Sequence, residues 1–137
     1  MKKLVCLLIC FVIVAVPVMS MAKISVEYNG TEIAFPDAQP ELKDGKPVLP
    51  MRAVFEALGA GVFWEEPDRM IMSQRGGKFV IMQIGSPVMF IGDAPVTLDT
   101  APYIVSDRTM IDLKTITDAL GVKAEWNAEN SVVTITE

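Results

Sequence analysis

Three sets of residues in this chain have types suited to chemistry. The first is the carboxylates Glu65, Glu66 and Asp68, with Glu125 and Glu129 further on. A hydrolase of glycosidic bonds needs two such groups facing one bond at about 5–10 Å. These acids instead flank turn sequences, where carboxylates are solvated, and no D-x-D-x-D-G run exists to hold calcium. The second is Met70, Met72, Met82 and Met89, whose thioethers suit Cu(I). Met70 and Met72 alternate as two core residues on one strand face would, and packing is the expected role. The third pairs Arg52 with Lys114 and Trp64 with Trp126. Arg52 is expected to be partly buried against Glu56 or Glu65. A clamp for a ligand carboxylate is the sharper alternative, but Lys lacks the planar fork of Arg. The tryptophans are expected to be buried and to seat a helix on a sheet. The alternative is a sugar-stacking platform, which Tyr28, Tyr103 and Phe90 would extend if exposed.

These paired residues sit at matched places in a duplicated chain. The run Ala57-Leu58-Gly59-Ala60-Gly61-Val62-Phe63-Trp64 returns as Ala119-Leu120-Gly121-Val122-Lys123-Ala124-Glu125-Trp126, 62 positions later. The same offset matches Gly30 with Gly92, Asp37 with Asp99 and Pro40 with Pro102. Each repeat is one supersecondary unit, over residues 24–85 and 86–137. Most matched residues carry geometry and packing rather than reactivity.

Composition narrows the function further. Lys2 and Lys3, an apolar run over residues 4–16, Pro17, and the small residues Ser20 and Ala22 form a signal segment, residues 1–22, with cleavage expected after Ala22. The run is short for a membrane span. Cys10 lacks the small preceding residue of a lipobox. Both cysteines, Cys6 and Cys10, lie in that segment, and the chain has no His. The exported part, residues 23–137, therefore has no disulfide, no His- or Cys-ligated metal and no His-based triad. No cofactor is expected, and the chain is read as a non-enzyme. Without Lys2 and Lys3 the balance is 17 acids to 10 bases, about −7. That excludes nucleic acid and anionic membrane surfaces as partners. The membrane is met only through the signal segment before cleavage.

The elements follow from pattern. Ile24-Ser25-Val26-Glu27-Tyr28 alternates as a half-buried strand, Asn29-Gly30 is a hairpin turn, and 31–35 returns. Residues 36–46 read as a loop and Val48-Leu49 as a short extended piece. Pro50 opens a helix with Met51, Val54, Phe55 and Leu58 on one face, and Gly59 ends it. Strands follow at 61–65, 69–73 and 79–84. In the second unit, strands at 88–91 and 95–98 flank a turn at Gly92-Asp93-Ala94, and a loop runs from 99 to 109. Asp112 caps a helix burying Leu113, Ile116, Ala119 and Leu120, which Gly121 terminates. A hairpin at 123–127 and 131–136 closes the chain. Each unit is β-β-α-β-β, and the two are expected to pack as one α+β domain of small antiparallel sheets around short helices.

The run from Gly45 to Glu66, GKPVLPMRAVFEALGAGVFWEE, resembles the signature of the copper amine oxidase N-terminal-like domain, also called the stalk domain. Pro50, Arg52, Leu58, Gly59, Ala60, Val62, Trp64 and Glu65 match it. The second unit keeps Leu120, Gly121 and Trp126, with Asp112, Lys114 and Asn127 in place of Pro, Arg and the acid. The resemblance implies a non-catalytic α+β module of secreted and envelope proteins, without the copper and quinone chemistry of the oxidase.

The expected function is a secreted structural or binding module of the bacterial cell envelope, exported by a Sec-type route. It would act through surface loops on a wall polymer or an envelope protein. The alternative is an inhibitor or accessory subunit of an extracellular enzyme, with Ala38-Gln39-Pro40-Glu41 entering a cleft. The equivalent loops 36–46 and 99–108 are the expected contact surface. Gln39, Glu41, Lys43, Tyr103, Asp107 and Arg108 are the candidate contact residues.

Overall fold

A computed structural model describes residues 23–137; the expected signal segment lies outside the described residues. Thirteen strands and two helices follow in order. Strands β1 (Ser25–Tyr28), β2 (Thr31–Glu32), β3 (Glu41–Lys43) and β4 (Lys46–Pro50) precede helix α1 (Met51–Ala57). Strands β5 (Gly61–Glu65), β6 (Met70–Arg75), β7 (Lys78–Gln83), β8 (Val88–Ile91) and β9 (Ala94–Thr97) form a continuous meander. Strands β10 (Tyr103–Val105) and β11 (Arg108–Asp112), helix α2 (Leu113–Leu120), and strands β12 (Lys123–Asn127) and β13 (Val132–Thr136) complete the chain. The fold is α+β, with small sheets around two short helices. No described helix is long and apolar enough to cross a membrane.

The strands form three sheets, ordered β12-β13-β1-β2, β10-β11-β4-β3 and β5-β6-β7-β8-β9. The middle one holds the two units together. Its central pairs are Met110–Pro50, Ile111–Leu49 and Asp112–Val48. Leu49 and Ile111 are repeat mates, and the flanking pairs are symmetric about them. The two units therefore meet through a local two-fold relation, each giving the same strand to the join. The other two sheets pair the closing hairpin of one unit with the opening hairpin of the other. In the five-stranded sheet β7 lies between β6 and β8, antiparallel to both, so β6 and β8 run in one direction. Their mates β13 and β1 have no strand between them and pair directly in parallel. Among the described residues that is the one departure from an otherwise antiparallel pattern.

The expected loops carry structure of their own. Residues 36–46 contain β3, and residues 99–109 contain β10 and the start of β11. The first return strand ends at Glu32 rather than at 35. The second hairpin turns on Gly92-Asp93 alone, and Ala94 begins β9. The opening hairpins thus match at an offset of 63, one more than the rest of the chain.

Core packing follows the helical pattern closely. Met51, Val54, Phe55 and Leu58 are all buried. In α2, Ile116, Ala119 and Leu120 are buried, Thr115 joins them, and Leu113 is half-buried against the core. Both helices contribute to one hydrophobic cluster, with Val26, Ile71, Val80, Met82, Met89, Val133 and Ile135 from the sheets. The helix ends differ by unit. Asp112 caps α2, its side chain accepting from Thr115 N at 2.9 Å and Thr115 Oγ1 at 2.7 Å. Such a cap contributes about 1–2 kcal/mol. Pro50 occupies the same place before α1 and offers no side-chain acceptor. Gly121 ends α2 in the left-handed region at φ 67°, and Gly59 lies there at φ 81°, one residue beyond the Leu58 cap.

Candidate functional site

A groove of about 660 Å³ opens beside α1. Three segments build it. The first is the loop after β2, with Phe35, Pro36, Asp37 and Ala38. The second is the entry to α1, with Pro50, Met51, Arg52, Ala53 and Glu56. The third is the β10–β11 hairpin, with Ile104, Asp107, Arg108 and Thr109. The inward face of the five-stranded sheet forms the floor and back wall through Val62, Trp64 and Ile71, and Glu66 follows. These are the two loops singled out in sequence, now adjacent. Arg108 Nη2 donates to Asp37 Oδ2 at 2.7 Å and ties one to the other.

Trp64 is not buried as expected. It is 37% exposed, at the groove wall. Strand alternation points Trp64 toward the same side as the core-facing Val62 and Ile71, where it lines the groove beside the start of α1. Its Nε1–H donates to Glu66 Oε1 at 2.9 Å, which holds the ring in place. Trp126 instead packs half-buried against the core. Residue 66 has Ala128 as its mate, so the second unit lacks this acceptor.

Arg52 is more exposed than expected. It pairs with Glu56 at 3.3 Å, both side chains 56% exposed, while Glu65 takes no part. Its mate Lys114 donates to Asp118 Oδ2 at 2.7 Å and to the carbonyl of Thr97 at 3.1 Å, bridging α2 to the end of β9. Asp118 holds the Lys114 ammonium pKa above its usual value. The one helix position therefore closes on the sheet in unit two and leaves an open rim in unit one.

The other candidates fall elsewhere. Glu41 and Lys43 lie on β3 and Tyr103 on β10, strands rather than loops. Lys43 Nζ stands 4.2 Å over the Tyr103 ring, and burial, then Glu41, raises the Tyr103 pKa. These three form a separate cluster, outside the groove lining. Gln39 Nε2 donates to Phe35 O at 2.6 Å, which ties the 38–41 segment back onto its own loop. The methionines do not converge. Met82 and Met89 are buried in the core, while Met70 and Met72 lie half-buried on the opposite, outward face of the sheet. The core residues of that strand are Ile71 and Ser73. Glu65, Glu66 and Asp68 are exposed beside a turn. Among the described residues no group of three or more acidic, His or Cys side chains is placed to hold a metal ion.

Residues 27–135 match the family described as Copper amine oxidase N-terminal domain. The chain belongs to this family. Copper amine oxidase N-terminal domains are non-catalytic, stalk-like modules. No curated protein sequence matches the chain. Of the motif residues in this copper amine oxidase N-terminal domain, Pro50, Arg52, Val62 and Trp64 all line the groove, whereas Leu58 and Ala60 are buried in the core. Leu120, the mate of Leu58, is also buried. Sequence reasoning did not single out Phe35, Ile104 or the Trp64–Glu66 contact. The last lies past the end of β5, where strand alternation no longer fixes which way Glu66 turns.

Proposed function

We propose that the chain is an exported binding module of the bacterial envelope that contacts a wall polymer or an envelope protein through its groove-bearing face. The observation that carries this reading is the Asp37–Arg108 pair at the rim of the groove. It joins two segments 71 residues apart into one surface, with an aromatic wall and charged edges. Export is supported by the basic, apolar and small-residue order of residues 1–22. The family's non-catalytic character and the lack of His agree with recognition rather than turnover.

The test has two parts. Expression with the native leader yields protein beginning at Lys23 outside the cytoplasm. That mature protein sediments with purified cell-wall sacculi, and a variant with 36–39 and 106–108 replaced by Gly and Ser stays in the supernatant. Retention of the leader-bearing chain in the cytoplasm, or sedimentation unaffected by the replacement, would count against the reading.

A further inference from the structure

We infer that the groove beside α1 is a carbohydrate site in which a neutral sugar ring stacks on Trp64. The inference rests on the binding-module reading and names the chemistry of its ligand. Trp64 is exposed although its repeat mate packs against the core, so the fold itself does not require an exposed indole. The Nε1–H bond to Glu66 uses the polar edge of the ring and fixes its orientation. What remains for a ligand is the apolar face of the indole. Phe35 and Pro36 continue the apolar surface. Sugar rings present such a face, with hydroxyl groups around the rim.

The rim chemistry selects among ligands. Four carboxylates and two guanidinium groups line the groove. A surplus of negative charge, in a protein that is itself acidic, disfavours phosphate-rich or other anionic polymers. A strongly basic peptide would need free carboxylates. However, three of the four are engaged: Asp37 is paired with Arg108, Glu56 with Arg52, and Glu66 accepts the indole N–H, which leaves Asp107 alone without an ion pair among the described residues. The rim instead presents donors and acceptors side by side, which suits hydroxyl and acetamido groups. The volume of the groove lies within the range of small-ligand sites. The second unit lacks the Glu66 acceptor, and Lys114 bridges its helix to the sheet, so one site per chain is expected.

The probe is the β-1,4-linked trimer of N-acetylglucosamine, titrated into the ¹⁵N-labelled mature chain. The two indole N–H signals are assigned with Trp64→Phe and Trp126→Phe. The trimer shifts the Trp64 signal and leaves that of Trp126 in place. Trp64→Ala weakens binding at least about tenfold, Trp64→Phe weakens it less, and the spectrum of each stays dispersed. Glucose trimer and pentalysine are titrated in parallel. Response to either sugar but not to pentalysine upholds the inference. No response to the sugars at millimolar concentration overturns it, as does response to pentalysine alone or an equal shift of both indoles. If the chain sediments with sacculi yet ignores both sugars, the binding-module reading stands and the carbohydrate site falls.

Discussion

Arg75 joins the two repeats at the scale of a single side chain. Its guanidinium donates to Leu58 O at 2.8 Å and to Leu120 O at 3.1 Å. Those carbonyls are repeat mates, one at the end of each helix, where intrahelical partners run out. Its remaining nitrogen pairs with Glu137, its own mate 62 positions on. Charged hydrogen bonds of this kind contribute about 1.5–3 kcal/mol. Arg75→Ala is expected to lower stability by about 2–3 kcal/mol and the melting temperature by about 10 °C, read by calorimetry. Arg75→Lys recovers only part, since one ammonium cannot span both carbonyls and the acid. The Glu137 carboxylate is held below its usual pKa, first by the Tyr28 hydroxyl donating to it and then by Arg75. A depressed carboxylate stabilises the fold above its unfolded-state pKa and loses that contribution as pH falls through the folded value. The stability gap between wild type and Glu137→Gln should therefore be full at pH 7 and begin to narrow as pH falls below the ordinary glutamate value of 4.5. A gap that does not narrow at all as acid is added would remove Glu137 ionisation from the account.

At the scale of elements, one row of the five-stranded sheet departs most from its repeat. Phe63, Met72, Ile81, Phe90 and Pro95 stand in register across its outward face. The corresponding row of the other outer sheet is Glu125, Thr134, Glu27 and Glu32. The same backbone therefore carries an apolar row in one place and an acidic row in the other. Phe63 is 59% exposed and Phe90 44%. The double substitution Phe63→Glu/Phe90→Glu is expected to change stability by less than about 1 kcal/mol in urea unfolding. A loss of several kcal/mol would mean that the row supports the fold. This contrast also explains what was legible in the sequence. The helices were, because 3.6-residue periodicity survives wherever one face is buried. Strand β3 was not, since Glu41, Leu42 and Lys43 are all exposed and leave no alternation. Of strand β4 only Val48-Leu49 was legible as extended, since Pro47 and Pro50 argue against an inner strand. Met70 and Met72 share a face as expected, but it is the outward one. Only sheet packing decides which parity turns inward. Trp64 has the inward parity and is nonetheless open to the groove beside the start of α1.

For the whole molecule, the chain ends matter most. The first and last strands pair with each other, and the closing hairpin of unit one continues into the opening hairpin of unit two. Residues 23–85 alone would lose β13 from beside β1, β11 from beside β4 and β8 from beside β7. That fragment is expected to show no cooperative unfolding transition, whereas residues 23–137 unfold in a single one. A cooperative melt of the fragment would show that a unit can bury its own core. The duplication thus yields a nearly symmetric scaffold with asymmetric polar chemistry. Arg52 leaves its groove open where Lys114 bridges to Thr97, and Trp64 is exposed where Trp126 is packed. Function at one of two equivalent places in a nearly symmetric fold, the groove beside α1 and not its counterpart beside α2, is the central claim. Hydrogen exchange on the mature chain, free and bound to purified sacculi, tests it most directly. The account predicts added protection in 35–38, 50–56, 62–66 and 104–109, with the equivalent segments 97–100 and 112–118 unchanged. Protection centred on those second-unit segments, with the groove unaffected, would contradict it.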